Sequence, residues 1–434
     1  MLDAIGRADG IQLIQVMAPV RQMQQIGAMN GSAPSPSLLS PAMLAAAPHR
    51  LLFFVGALNV LAAMAWWSLW LFDPAPMPVN WVMAGWLHGF MLQYQMLPSF
   101  MFGFLITVFP RWMGQAEATR WHYVPVGIGL LLGQILLLAA AFSGSAVVLR
   151  LGVGVTLLGW GYGVAVLGRG VVQDRFRTWH AVSCWAAMVI GLLGIGAFAW
   201  YLHGFDLRVG QAAIKLGGFG VLLPVYATVA HRMFPFFAGN VVAGYRPWRP
   251  LWLLAAQWPL WLAHLVLDLG QLTAWLWLVD LPLLILSLLC LWRWWPRGPM
   301  PALLRVLFLG YAWLPVALAL YAFQGLWLLL DGSWVLGRAP LHALAVGMFG
   351  SLLVAMVTRV TQGHSGRPLV LGGVALFAFV VIQIVAVARV AAELMQSPYA
   401  GFRVAALGWL LAFVPWVLRS CWIYLRPRAD GKQG

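Results

Sequence analysis

The stretch HYVPVGIGLLLGQILLLAAAF, residues 122–142, contains no Asp, Glu, Lys or Arg. A helix of this length, rising 1.5 Å per residue, crosses the roughly 30 Å hydrocarbon core of a bilayer. Similar runs recur from Leu51 to the C-terminus, and the 434-residue chain is 62% hydrophobic with a mean hydropathy of +0.86. This composition excludes an ordinary soluble domain. We therefore predict an all-α, polytopic transmembrane helix bundle.

The number of spans follows from the length of each apolar run. The sequence predicts twelve, over residues 50–72, 81–109, 122–142, 145–167, 178–200, 212–234, 250–270, 272–295, 303–330, 339–358, 369–395 and 401–425. The runs are continuously apolar, whereas strands of a membrane barrel alternate apolar and polar residues. Short connections predict one membrane domain over residues 49–426. Residues 1–48 are rich in Gln, Met, Ser and Pro and predict a disordered cytoplasmic tail, and residues 427–434 form a short C-terminal tail.

The net charge of +15 raises the question of nucleic-acid binding, but the positions of the charges argue against it. With loops numbered alternately, 20 of the 26 basic residues fall on one side. The other six are Arg150, Arg208, Lys215, Arg338, Arg389 and Arg403. The positive-inside rule then places both termini in the cytoplasm. One missed or invented span would swap the sides of every later loop, so this bias also supports a count of twelve.

Three histidines are predicted to lie in the outer halves of the spans: His88, His264 and His342. Ionisable residues at this depth are costly unless they face the bundle interior and find partners, so function is the default interpretation. His88, Met91, Gln95 and Ser99 have the spacing of one helical stripe, and imidazole and thioether suit haem iron or copper. For Met91, core packing is the ordinary alternative. His264 and Asp268 are four residues apart, so the carboxylate is predicted to orient the ring, and Asp280 in the next span is a second acid at membrane depth and the alternative neighbour of this pair.

Other polar groups gather at the predicted cytoplasmic ends. The loop TRVTQGHSGRP, residues 358–368, places Arg359, His364 and Arg367 among glycines, a composition that suits a carboxylate or phosphate cradle. A basic turn that follows the positive-inside rule explains it equally well.

The three cysteines lie inside predicted helices without a C-x-x-C pair, so disulfides and thiolate clusters are not expected. Pro98 is predicted to break helix 2, and with Pro224 and Pro315 it leaves a transporter open as an alternative.

Four stretches together resemble a known family. They are PHRLLFFVGAL at 48–58, FMFGFLITVFPRWMG at 100–114, HRMFPFFAGN at 231–240 and LHALAVGMFGSLLVAMVTRVTQGHSGRPL at 341–369. The chain is similar in these stretches to the NnrS family of bacterial membrane proteins, in order from about His49 to the C-terminus. The resemblance implies a twelve-helix inner-membrane protein that contains haem and copper and is associated with denitrification and protection against nitric oxide stress. The residues that match the family's motifs are His88, His342, Arg359, His364, Arg367, Arg50, Arg232, Pro235 and Asn240.

One departure from the family concerns its H-x-H-E-M motif at the start of helix 2. Here the chain reads HGFML from His88 to Leu92, so Phe90 and Met91 replace a histidine and an acid. The change puts the copper complement in doubt, and Met91 is a candidate replacement ligand. His231 stands where the family often has glycine, either as a replacement ligand or as an interfacial residue.

The leading hypothesis is a haem- and copper-binding protein of the bacterial inner membrane that binds nitric oxide or limits its damage. The predicted metal ligands are His88, His264, His342 and Met91, and the further cofactor-binding candidates are His231, Arg232, Arg359, His364 and Arg367. The predicted partners are the lipid bilayer, nitric oxide and a membrane electron donor, with no nucleic acid. No catalytic motif is recognisable, so enzymatic activity stays open. The alternatives are a transporter or channel for copper, haem or another small solute, and, ranked lowest, a respiratory oxidase or nitric oxide reductase.

Overall fold

A computed structural model describes residues 39–75, 77 and 81–431, and it confirms twelve helices that are long and apolar enough to span a membrane. They are α1 Pro48–Phe72, α2 Ala84–Met113, α3 Arg120–Ser143, α4 Ala146–Gln173, α5 Trp179–Gly204, α6 Leu207–Val241, α7 Leu251–Leu269, α8 Trp277–Trp294, α9 Ala302–Asp331, α10 Ala339–His364, α11 Gly373–Ala392 and α12 Pro398–Tyr424. The described residues include no strand. Residues 1–38 of the predicted tail and residues 432–434 lie outside the described part of the chain.

The ends of several spans follow local backbone preferences. Gly114, Gly144 and Gly332 end α2, α3 and α9 with φ of 65°, 67° and 75°, a region where residues with a side chain are strained. The side chain of Asp206 accepts a hydrogen bond from the Arg208 amide at 2.8 Å and caps the start of α6. Because the spans end and begin at defined residues, the connections between them are short, as the sequence predicts.

Three spans form an inner layer. The most apolar windows of α2, α6 and α10 are 83, 72 and 72% buried, whereas no other span exceeds 61%. These spans recur at every fourth helix, and each contains a π-helical segment: Met91–Met96, Leu216–Leu222 and Ala343–Gly350. The remaining nine spans are less buried. The chain therefore has a four-helix periodicity that is visible in its backbone geometry.

The π-helical segments allow two prolines to lie inside spans without breaking them. Pro98 and Pro224 each follow a π-helical segment as the second residue of the next α-helical stretch. A proline ring clashes with the carbonyl four residues earlier, and a wider turn relieves that clash. The predicted break in helix 2 is therefore a π-helical turn within a continuous span. The extra residue also rotates the helix: His88 stacks on Trp67 of α1, whereas Gln95 bonds Thr156 of α4, so the predicted stripe from His88 to Ser99 does not share one face.

Close helix contacts hold the outer spans together. A Cβ on Gly129 of α3 would lie 2.5 Å from the Cα of Gly159 in α4, so these two backbones touch. The first and last spans also meet, because Arg50 donates to the carbonyl oxygens of Tyr424 at 3.2 Å and Arg426 at 2.7 Å. We call the end of the bundle that carries Arg50 and Tyr424 the terminal face, and the opposite end, which carries His88, the distal face.

An apolar cavity of about 70 Å³ lies among the inner spans. Its walls include Phe100 and Phe104 of α2, Val225 and Tyr226 of α6, and Val357 of α10. Every lining residue except Tyr226 is apolar. Water is poorly held in such a space, because it needs two to four polar partners.

Candidate functional site

His88 and His342 lie near each other at the distal face. His88 is on α2 and His342 on α10, four and three residues after the first residue of each span. His342 lies within electrostatic range of His88. The His88 ring stacks on Trp67 with centroids 4.3 Å apart and an interplanar angle of 17°, so its plane is fixed. The structure thus brings together two of the three histidines predicted for the outer layer.

The hydrogen bonds of these rings determine which nitrogen is free. His342 Nδ1 lies 2.9 Å from the carbonyl oxygen of Arg338. Because a carbonyl can only accept, Nδ1 carries the proton and Nε2 keeps its lone pair. This is the usual arrangement of a metal-binding histidine, whose second nitrogen donates to the protein. His88 Nδ1 is buried without a partner.

Two arginines accompany the histidine pair. Arg338 and Arg389 lie within electrostatic range of both imidazoles. Arg389 pairs with Glu393 through Nη2 at 2.8 Å and packs on Phe402, but its Nη1 is buried without a partner. A buried N–H without an acceptor is costly, so this group is suited to an anionic ligand. We call His88, His342, Arg338 and Arg389 the distal site.

His264 belongs to a different cluster. Its Nδ1 lies 2.7 Å from Asp280 of α8, and its ring stacks on Phe219 of α6 with centroids 3.5 Å apart. The predicted pairing with Asp268 is wrong, because Asp268 bonds Lys215 at 2.9 Å instead. Both members of the His264–Asp280 pair are almost fully buried. The carboxylate fixes the tautomer of His264, but no hydrogen bond or ring contact joins this ring to His88 or His342.

His231 is fully occupied by hydrogen bonds. Arg232 Nη1 lies 3.4 Å from His180 Nδ1, His180 Nε2 lies 2.9 Å from His231 Nδ1, and His231 Nε2 lies 3.1 Å from the Pro250 oxygen. Arginine can only donate and a carbonyl can only accept, so both rings are neutral with the proton on Nε2. No ring nitrogen is left for a metal. Arg232 also packs over Trp112 at 4.5 Å.

The predicted cradle of Arg359, His364 and Arg367 is not assembled. The stretch 358–364 is the last part of α10, because the helix continues to His364, so the predicted loop begins only after it. Arg359 packs over Phe237 at 4.0 Å, and Arg367 packs over Trp422 at 5.5 Å. The His364 ring contacts His49 with centroids 4.4 Å apart. The three side chains therefore face different neighbours.

The described residues contain no group of three or more His, Cys, Asp or Glu side chains that could hold a metal ion. Met91 is fully buried in the hydrophobic core at the start of its π-helical segment. Haem needs fewer protein ligands than a bare metal ion. Its ring supplies four nitrogens to the iron, so the protein has to supply at most two ligands. The distal site offers that number of imidazoles.

Sequence analysis missed several partners. Arg389 and Glu393 are four residues apart inside an apolar span, which is a signal that a buried ion pair was available. The sequence contains no comparable indication of the roles of Trp67 and His180, because ring stacking and contacts between spans depend on how the spans pack.

These features define a polytopic all-helical membrane protein. The chain matches the NnrS protein family over residues 43–428, nearly its whole length, and it belongs to that family. The resemblance found in the sequence is thereby confirmed. Comparison with functionally curated proteins gave no match.

Proposed function

We propose that this protein binds haem at the distal site, with His88 and His342 as the two iron ligands. The observation that supports the proposal is that His342 of α10 lies within electrostatic range of His88 of α2 and is held in the tautomer that leaves Nε2 free. The bound group would supply redox and gas-binding chemistry. Arg389 and Arg338 would hold its carboxylates, because guanidinium groups form strong charge-assisted bonds with them. Copper has no comparable ligand set among the described residues, so the proposal is limited to haem.

The proposed ligand is nitric oxide, which would replace one of the two histidine ligands of the iron, in a role in nitric oxide response or protection. Nitric oxide is small and uncharged, and it dissolves in the bilayer, so it needs no polar entrance. The cavity among α2, α6 and α10 supports this assignment, because its apolar walls favour a ligand of that class over water or ions.

Histidine variants test the proposal. His88→Ala and His342→Ala should each lower bound haem at least about tenfold, because one lost ligand costs on the order of 1.4 kcal/mol or more. Haem is measured by absorbance of the purified protein, oxidised and reduced, with and without nitric oxide. Unchanged haem in both single variants and in the double variant would overturn the proposal.

Matched variants separate binding from folding. His203→Ala removes an exposed histidine at the same face and should leave the spectrum unchanged. Arg389→Gln should weaken haem retention, and Arg389→Lys should restore part of it. Arg359→Gln, whose guanidinium packs on Phe237, should not change retention. Equal losses in Arg389→Gln and Arg359→Gln would count against the anchoring role.

We further propose that the protein lies in the bacterial inner membrane with the terminal face, and both termini, in the cytoplasm. Support comes from the concentration of arginine on the predicted cytoplasmic side. Alkaline phosphatase fused after Gly434 should be inactive, and a fluorescent protein fused there should fluoresce, because the phosphatase needs the oxidising periplasm. An active phosphatase fusion would reverse the orientation.

A further inference from the structure

Two arginines lie over one tryptophan at the terminal face, and a third lies near one of them. Arg426 lies over the Trp422 ring at 4.1 Å and Arg367 at 5.5 Å, and Arg419 lies within electrostatic range of Arg367. In the described part of the chain, none of the three forms an ion pair with a carboxylate. Arg426 Nε is buried without a hydrogen-bond partner. We call Arg367, Arg419, Arg426 and Trp422 the basic cluster.

The cluster concentrates positive charge that the protein does not neutralise. Burial, and then the charges of Arg419 and Arg426, lower the pKa of Arg367 below its ordinary value. The fold nevertheless holds the groups together, because α10 and α12 are joined by the Trp416–Thr358 bond at 3.0 Å and the Thr361–Tyr424 bond at 2.8 Å. An anion placed among three guanidinium groups would relieve this repulsion and accept their N–H bonds.

The surroundings of the cluster indicate where that anion comes from. Trp422 is in the last turn of α12, at the depth where tryptophan marks the membrane interface. Exposed apolar side chains lie beside it in the chain on both elements: Leu369 and Val370 follow Arg367, and Val414 and Leu418 precede Trp422 on α12. A free phosphate would not use this apolar surface, whereas lipid acyl chains would cover it.

We propose that the basic cluster binds the phosphate headgroup of an anionic phospholipid, with the acyl chains lying against α12. The guanidinium groups contact the phosphate, and Trp422 holds two of them in place by cation–π contact. Basic groups at the cytoplasmic end of membrane helices commonly recognise such headgroups. This assignment gives Arg367 a lipid ligand and does not depend on haem.

Native mass spectrometry and thermal unfolding test the proposal on the full chain in detergent. Phosphatidylglycerol should remain bound and raise the melting temperature of the wild type more than phosphatidylcholine does. In Arg419→Gln the retained phosphatidylglycerol should fall about fivefold, because each basic group contributes on the order of 1 kcal/mol. The triple variant R367Q/R419Q/R426Q should show no preference for the anionic lipid.

Control variants keep the result interpretable. R120Q/R169Q/R177Q removes three exposed arginines at the same face and should retain the lipid as the wild type does. Arg419 is exposed, so Arg419→Gln should fold even if the triple variant does not. Inorganic phosphate should neither bind detectably nor raise the melting temperature; a phosphate shift equal to the lipid shift would overturn the lipid assignment. Equal lipid retention in Arg419→Gln and the wild type would overturn the site itself.

Discussion

Some buried ionisable side chains of this protein take their partners from other helices. His264 is the clearest case, because Asp280 reaches it from α8 at 2.7 Å and both side chains are almost completely shielded. Asp280→Ala should lower the free energy of unfolding by about 3 kcal/mol, since it leaves the imidazole without a partner in a low-dielectric site. Thermal unfolding in detergent measures the change.

Asp268→Ala is the matched control. Asp268 pairs with Lys215 where both side chains keep some exposure, and Lys215 would still donate to the Asp268 backbone oxygen at 2.6 Å. The loss should be about 1 kcal/mol or less. Equal destabilisation by Asp280→Ala and Asp268→Ala would show that the buried pair has no special role.

The same residues show what sequence could predict about the site. That His264 needs a partner followed from its depth in an apolar run. Which partner it takes did not follow, because the spacing of Asp268 places it on the same helix but says nothing of Lys215 on α6, which binds it. His231 illustrates the same limit: its partners His180 and Pro250 come from other parts of the chain. Long-range side-chain pairing depends on how the spans pack.

Direct contact between the two backbones, at Gly129 and Gly159, holds α3 against α4. Gly129→Ala should destabilise the protein by about 1–3 kcal/mol, because its Cβ would lie 2.5 Å from the Cα of Gly159 and the backbones must separate. Gly154→Ala, in open space on α4, should leave stability unchanged or raise it by up to about 1 kcal/mol through helix propensity. Unfolding in detergent compares the two. A Gly129→Ala variant as stable as Gly154→Ala would contradict the close approach.

The spans themselves were predictable, whereas their local winding was not. Hydropathy locates a helix because every residue of an apolar run contributes, so α3 and α12 were found within a few residues. A π-helical turn adds one residue without changing hydropathy. In α2 this single addition separates the faces of His88 and Gln95, so the predicted stripe failed although the span was right.

At the scale of the whole molecule, three spans are more buried than the other nine. This layering explains why α2, α6 and α10 carry so much of the polar chemistry: His88, His231 and His342 lie on them, away from lipid where a polar group would be costly. It also accounts for the central cavity, since each inner span turns through a π-helical segment before it reaches the lining residues.

That cavity should bind a small apolar gas. Its apolar walls offer contacts to an apolar occupant and few hydrogen-bond partners to water. Xenon is a suitable probe because it requires no metal. We expect xenon-129 resonance shifts that saturate with pressure in the wild type and are lost in Val357→Phe, which fills the cavity.

Val316→Phe supplies the control, because Val316 of α9 is exposed on the outer surface and does not line the cavity. It should bind xenon as the wild type does. Val225→Ile adds one methylene group and fills less of the cavity than Val357→Phe does, so it should weaken xenon binding with less risk to folding. If xenon binds Val357→Phe and the wild type equally, the gas occupies another site. The pocket among the inner spans would then be a packing defect that no ligand uses, and the proposed ligand would have to reach the distal site by another path.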